Sequence, residues 1–247
     1  MRLNRYIARC GAASRRGADR LIADGKIRIN GVVINEVGVR VDPQVDVVEF
    51  DGSILRLPDQ LTCIALNKPA GYVVTMSDPQ GRKTVAELIR DAPKAVVPVG
   101  RLDAPTEGLL LLTDDGALAH RIAHPSFEID KVYRVIARGV LKEEDVDALE
   151  MGIVLDDQRT APAIVEVLGT DRNETHALIT IHEGRKRQIR RMFEAVGHPV
   201  KRLSRTRVGP IELGNIRLGR WRHLTPEELA ALRSAVGLSN EGGAARG

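Results

Sequence analysis

Only two cysteines occur in the 247 residues, Cys10 and Cys63, far apart and each in an apolar pattern. That excludes a disulfide framework and predicts two buried free thiols. The six histidines, His120, His124, His176, His182, His198 and His223, are scattered. They form no cluster with cysteine or carboxylates at metal-ligand spacing, so no metal site is expected. No apolar run approaches the ~20 residues that span a bilayer. The N-terminus is basic but lacks the apolar stretch of a secretory signal, and Asp19 and Asp24 interrupt what would otherwise mimic a transit peptide. A cytoplasmic protein is therefore expected. No internal repeat is visible.

A hydrophobic content of 43% beside 28% charged residues fits one large folded domain or two unequal ones. The net charge is only +4, yet it is unevenly placed. Residues 1–30 carry eight Lys/Arg against Asp19 and Asp24, and residues 182–207 carry nine against Glu183 and Glu194. The rest of the chain is acidic. Two basic blocks on an acidic background point to a polyanionic partner. Of the cations, 29 are arginine and 8 lysine, and arginine grips phosphate bidentately and stacks on bases. A codon bias toward arginine would explain that ratio but not the clustering.

The first sixty residues read as two short helices and a small sheet. Leu3, Ile7 and Cys10 share a helical face that Gly11 ends. Ser14 reads as an N-cap, Ala18, Leu21 and Ile22 as the next apolar face, and Gly25 as its C′ residue. Ile27 and Ile29, an Asn30-Gly31 turn, and Val32–Ile34 predict a hairpin. Alternating Val37, Val39 and Val41 and the run Val45–Phe50 predict further strands. Arg15, Arg16, Arg20, Lys26 and Arg28 fall on and just after the second helix, where they can line a phosphate backbone. The stretches Leu3–Ala8, Ala13–Arg16 and Gly25–Gly31 resemble the αL-type RNA-binding domain of a ribosomal small-subunit protein and several RNA-modifying enzymes.

A linker over Arg56–Asp59 separates a larger unit. It begins with the apolar strand Leu61–Leu66 and the turn Asn67-Lys68-Pro69-Ala70-Gly71. Capping boxes at Thr84–Glu87 and Thr225–Glu228 predict helix starts. Asp114 or Asp115 starts a helix with Leu118 and Ile122 inward. Leu141–Met151 and Gln188–Val196 read as helices, and Val132–Ala137, Ile164–Leu168 and Ala177–Ile181 as strands. Strands and helices mix without regular alternation, so the fold class is α+β with a mixed, largely antiparallel sheet flanked by helices. The expected division is residues 1–58, residues 59–238 and a disordered Gly/Ala-rich tail, 239–247.

Within the larger unit, Gly100-Arg101-Leu102-Asp103-Ala104-Pro105-Thr106-Glu107-Gly108 leads into four leucines, Leu109–Leu112. A carboxylate at the mouth of a buried strand is a place for a nucleophile, although a lone Asp there is more often a turn former. The second basic block supplies partners. Arg190 and Arg191 flank Ile189 on a predicted helix, so one can reach inward while the other stays on the surface. An inward arginine would keep a buried Asp ionised. Tyr133 lies on the strand after Lys131.

Together, Gly100–Asp103 with Thr106 and Gly108, Lys131 with Tyr133, and Glu183-Gly184-Arg185 running to Arg190-Arg191-Met192-Phe193 resemble the three motifs of pseudouridine synthases. The subgroup is the RsuA/RluB/RluE/RluF family, which acts on ribosomal RNA. Asn67–Gly71, Thr113–Gly116, His124-Pro125 and Leu218–Thr225 support the match along nearly the whole chain. Ala104-Pro105 departs from the polar residues expected there. Gly11–Arg16, Asp78–Arg82 and Glu194–Gly197 look closest to the large-subunit, RluB-like branch, with a small-subunit target as the alternative.

The resemblance implies an isomerase with no cofactor. Asp103 would cleave the uridine glycosidic bond, paired with Arg190. Tyr133 would stack under the target base and could move a proton, and Arg101 would fill the gap left by the extruded uridine. Arg15, Arg16, Arg20, Lys26, Arg28, Arg185, Lys186 and Arg187 would contact RNA, and a monomer with no membrane partner is expected. A non-catalytic RNA-binding or ribosome-assembly protein, and a hydrolase using Asp103, are the competing readings.

Overall fold

The computed structural model describes residues 1–58, 60–93 and 95–239. Asp59, at the end of the expected linker, and residues 240–247 of the expected tail lie outside them. The described chain falls into two compact units. One comprises Met1–Thr62 with Asp91–Val97, and the other Cys63–Arg90 with the chain from Pro98 onward.

The first unit contains α1 (Leu3–Arg9), α2 (Arg15–Ala23), β1 (Ile27–Ile29), β2 (Val32–Ile34), β3 (Val48–Phe50) and β4 (Ser53–Ile54), with sheet order β2-β1-β3-β4. Ser14 caps α2 by accepting from Gly17 N at 3.1 Å. Asn30 and Gly31 both adopt positive φ and set Ile29 opposite Val32, the geometry of a two-residue hairpin. Leu3, Tyr6, Ile7, Ala18, Ile22, Ile27, Val41 and Val48 form one core. Two expectations change. Tyr6 joins Leu3 and Ile7 inside, its hydroxyl donating to the Leu55 carbonyl at 2.9 Å, and Cys10 packs against that core only half-buried. The Val37–Val41 alternation forms no strand. Its backbone pairs instead with the chain start, Leu3 N to Val39 O and Val41 N to Met1 O, both at 2.8 Å.

The second unit contains β5 (Cys63–Lys68), α3 (Val85–Leu88), β6 (Val97–Pro98, at its boundary), β7 (Glu107–Thr113), α4 (Gly116–Ala123), β8 (Lys131–Arg138), α5 (Glu143–Met151), β9 (Val154–Leu155), β10 (Gln158–Arg159), β11 (Ile164–Asp171), β12 (Glu174–Ile181), α6 (Gln188–Ala195), β13 (Val200–Val208), β14 (Ile211–Glu212), β15 (Trp221–His223) and α7 (Pro226–Ala235). Its main sheet runs β11-β12-β8-β13-β7-β5-β15. Every pairing along it is antiparallel except β13 with β7. The four leucines of β7 are all buried, as a central strand covered on both faces requires. Leu109 and Leu111 pack with Leu118 and Ile122 of α4 and Leu232 of α7. Asp115 caps α4 and pairs with Arg233 of α7 at 2.6 Å, which joins the two helices.

The parallel pair is the tightest place in the sheet. Gly108 lies opposite Arg205 with φ +101°. A Cβ at Gly108 would sit 2.2 Å from Arg205 O and 2.7 Å from Arg205 N. Only glycine lets the two backbones approach this closely. Gly108→Ala is expected to lose about 3 kcal/mol, combining a strained φ with an overpacked contact. Urea unfolding followed by circular dichroism measures it; an unchanged midpoint would contradict the close approach.

Candidate active site

Asp103 sits in the turn that precedes β7. Leu102 is buried, Arg101 is exposed and Asp103 is half-buried between them and the following turn. Thr106 N donates to Asp103 O at 2.9 Å to close the turn. The turn holds an unusual number of its carbonyls in hydrogen bonds. Lys68, the last residue of β5, is fully buried, and its Nζ lies 3.3 Å from Asp103 O, 3.2 Å from Ala104 O and 2.7 Å from Thr106 O. Gly71 N also donates to Ala104 O at 2.7 Å. Arg190 Nη2 donates to the remaining carbonyl, Pro105 O, at 3.2 Å, while its Nη1 reaches Val200 O at 3.1 Å. All four carbonyls from Asp103 to Thr106 are therefore held. The turn is held by its backbone, which explains why Ala104 and Pro105 need no polar side chains.

The expected Asp103–Arg190 pairing is corrected by this geometry. No ion pair joins the two among the described residues; Arg190 grips the backbone of the Asp103 turn instead. Burial, then the nearby Arg187 charge, lowers the Arg190 pKa, and the Asp103 charge opposes both. Asp103 thus lies within the field of Arg190 while its carboxylate faces the cleft.

That cleft has a volume of about 700 Å³ and is lined by Arg101, Asp103, Tyr133, Lys186, Arg187 and Ile189, among others. Tyr133 projects from β8 and is buried at its rim. Arg190 turns inward on α6 while Arg191 stays outside, paired with Asp156 at 2.7 Å. The basic loop before α6 divides in use. Lys186 and Arg187 are exposed on the cleft. Arg185 instead donates to Gln158 O at 2.9 Å and Arg159 O at 2.6 Å, and pairs with Glu183 at 3.3 Å. It fastens the loop to β10 with donors that were expected to meet phosphate. In the first unit Arg15, Arg16, Arg20, Lys26 and Arg28 are all exposed. Arg28 caps its own hairpin at Gly31 O, and Lys26 lies 4.0 Å from Asp24.

Two residues of this centre were not singled out from sequence. One is Lys68, whose signal was a lysine closing an otherwise apolar strand. The other is Arg205, buried against Tyr133, whose signal was its place two residues after the apolar Leu203 along β13. Burial pushes both Lys68 and Lys131 down to about 8, and for Lys131 the Arg205 charge adds to it. Among the described residues no group of three or more His, Cys, Asp or Glu side chains is placed to hold a metal ion. No described helix is long and apolar enough to cross a membrane.

Comparison with known proteins gives the class. Residues 62–195 match the RNA pseudouridylate synthase family, and residues 1–47 match the S4 domain. The chain belongs to the RNA pseudouridylate synthase family, whose members isomerise uridine in RNA, and its leading unit is an RNA-binding S4 domain. Among its relatives is an RNA pseudouridine synthase of Aquifex aeolicus, 44% identical over 239 residues and 96% of each chain. A second is the ribosomal large subunit pseudouridine synthase B of Bacillus subtilis, 42% identical over 235 residues, covering 94% of this chain and 96% of that one. A crystal structure of a pseudouridylate synthase superposes with a TM-score of 0.67 at 32% identity, covering 94% of this chain and 99% of that one.

The Lys68 cage has a pH signature. Its folded pKa of about 8 lies below that of the unfolded chain, near 10.4. Between these values the unfolded state binds more protons, so this group makes stability rise with pH across that window. Lys68→Met removes that contribution and leaves the turn's carbonyls without their cation. The variant should be less stable than wild type at pH 7.5, and further behind at pH 9.5. Urea midpoints at the two pH values test this; a gap that narrows at pH 9.5 would reverse the sign argued here.

Proposed function

We propose that this protein converts a specific uridine of large-subunit ribosomal RNA to pseudouridine, with Asp103, Tyr133 and Arg190 at the reaction centre. The observation that carries the assignment is the Asp103 carboxylate facing a basic cleft, on a turn whose carbonyls are all held. A rigid backbone with an open carboxylate is what a group that must meet a sugar carbon requires. Asp103 attacks the sugar or the base and the C1′–N1 bond breaks. The uracil turns, C5 bonds to C1′, the Asp103 carboxylate is released from the atom it attacked, and the C5 proton is lost while N1 takes one up. Atoms balance with no oxidant, water or cofactor consumed.

Arg190 acts on Asp103 through the turn and through its charge rather than by direct pairing. Tyr133 offers a ring on which the target base stacks. Arg101, exposed beside Asp103, fills the gap left in the RNA. Extruding the uridine costs a few kcal/mol, offset by phosphate contacts from Lys186 and Arg187 and from Arg15, Arg16, Arg20, Lys26 and Arg28. Arg185 supports the loop that carries Lys186 and Arg187. The large-subunit target is supported by the relatives of that name, in Bacillus subtilis and, at 36% identity over 246 residues, in Vibrio vulnificus. The protein works as a cytoplasmic monomer.

Asp103→Ala should abolish pseudouridine formation on unmodified ribosomal RNA while RNA affinity stays within about threefold, because one carboxylate contributes little to polyanion binding. Mapping pseudouridine in both ribosomal RNAs, with and without the protein, locates the target. Product at wild-type levels from the variant would overturn the assignment. Replacing Arg15, Arg16, Arg20, Lys26 and Arg28 with glutamine should lower the salt slope of binding by about 0.7–0.9 for each phosphate that these side chains neutralise. An unchanged slope would mean those side chains are merely solvated.

A further inference from the structure

Arg205 is 4% exposed and lies across from Tyr133 in the β13–β8 register. Its Nη1 donates to the Tyr133 hydroxyl at 3.4 Å, its Nε donates to Leu109 O at 2.7 Å, and its guanidinium carbon is 5.9 Å from the Tyr133 ring centroid. The close approach at Gly108 brings the Arg205 backbone to this point. One motif glycine, one buried arginine and one cleft tyrosine are thus a single packing unit.

A guanidinium only donates hydrogen bonds. The Tyr133 oxygen must therefore accept from Arg205, and its own proton must point elsewhere. Tyr133 borders both the cleft and a smaller pocket of about 120 Å³, which Arg205 and Lys131 also line. Held at its hydroxyl end, the Tyr133 ring keeps one orientation where it borders the cleft.

We infer that Arg205 is a positioning residue for the isomerisation: it holds Tyr133 by its hydroxyl and so fixes the ring on which the extruded uracil stacks. This rests on the reading of Tyr133 given under the proposed function. Arg205 touches no reacting atom; it acts through the one hydroxyl. Its effect on rate should therefore vanish when that hydroxyl is absent.

A double-mutant cycle tests this, using unmodified transcripts of both ribosomal RNAs tritiated at uridine C5. Release of tritium reports the C5–C1′ bond under single-turnover conditions with enzyme in excess. Tyr133→Phe and Arg205→Gln should each slow release by about tenfold or more, with RNA affinity within roughly threefold. The double variant should be no slower than the slower single variant, within about twofold. Losses that multiply overturn the inference. If Arg205→Gln fails to unfold cooperatively on heating, Tyr133→Phe carries the test, and full activity in that variant overturns it. Tyr133→Ala separates the two levels. Full activity there sinks the reading of Tyr133 itself, whereas a loss in Tyr133→Ala with none in Tyr133→Phe sinks only the role of Arg205.

Discussion

The candidate active site depends on one buried ammonium group. Lys68 closes β5 inside the protein, and its three donors go to the carbonyls of the turn that carries Asp103 and to Pro69 O at 3.0 Å. A turn of four residues has little apolar surface of its own to bury. Without that cation the buried Thr106 O would lose its partner and Asp103 O and Ala104 O would each lose one, and an unpaired carbonyl in a low-dielectric interior is costly. The ammonium answers several carbonyls at once, and Gly71 N and Arg190 answer the rest. The side chains of the turn are then free for other uses. Asp103 can leave its carboxylate open and Arg101 can stay in solvent.

The basic character of the chain serves two purposes that look alike in sequence. Of the nine cations between residues 182 and 207, six bond to acceptors within the protein: Arg185, Arg190, Arg191, Lys201, Arg202 and Arg205. They hold the loop before α6, the Asp103 turn and the flanks of β13. Lys186 and Arg187 remain exposed on the cleft. In the S4 domain the balance reverses, with Arg15, Arg16, Arg20, Lys26 and Arg28 all at the surface. A guanidinium suits both uses because its five donors can satisfy a set of carbonyls as readily as a phosphate.

Much of the fold was legible because it rests on local chemistry. Ser14, Asp115 and Thr225 cap the helices they were expected to cap, and Asn30-Gly31 makes the expected hairpin. The run Leu109–Leu112 announced a buried strand, and the structure places it within the main sheet. Local patterns failed where distant partners intervened. The valines at 37, 39 and 41 alternate as a strand does, yet their backbone is taken by the first residues of the chain. Cys10 was expected to be buried on the inner face of the first helix, but it is the residue that follows α1 and is only half-buried against the core.

The sequence by itself determined the class of protein, the order of the two domains and several residues that line the cleft, Arg101, Asp103 and Tyr133 among them, because motif order, turn chemistry and helix capping are short-range and survive in one dimension. Tertiary structure alone decided what each charge does. Lys68 meets Ala104 O across 36 residues, Arg190 meets Pro105 across 85, and Arg205 meets Leu109 across 96 and Tyr133 across 72. No spacing rule reaches that far. Whether an arginine meets a phosphate, a carboxylate or a backbone carbonyl depends on which acceptors the packed sheet leaves unanswered beside it, and that is settled only when β7 and β13 come together at Gly108.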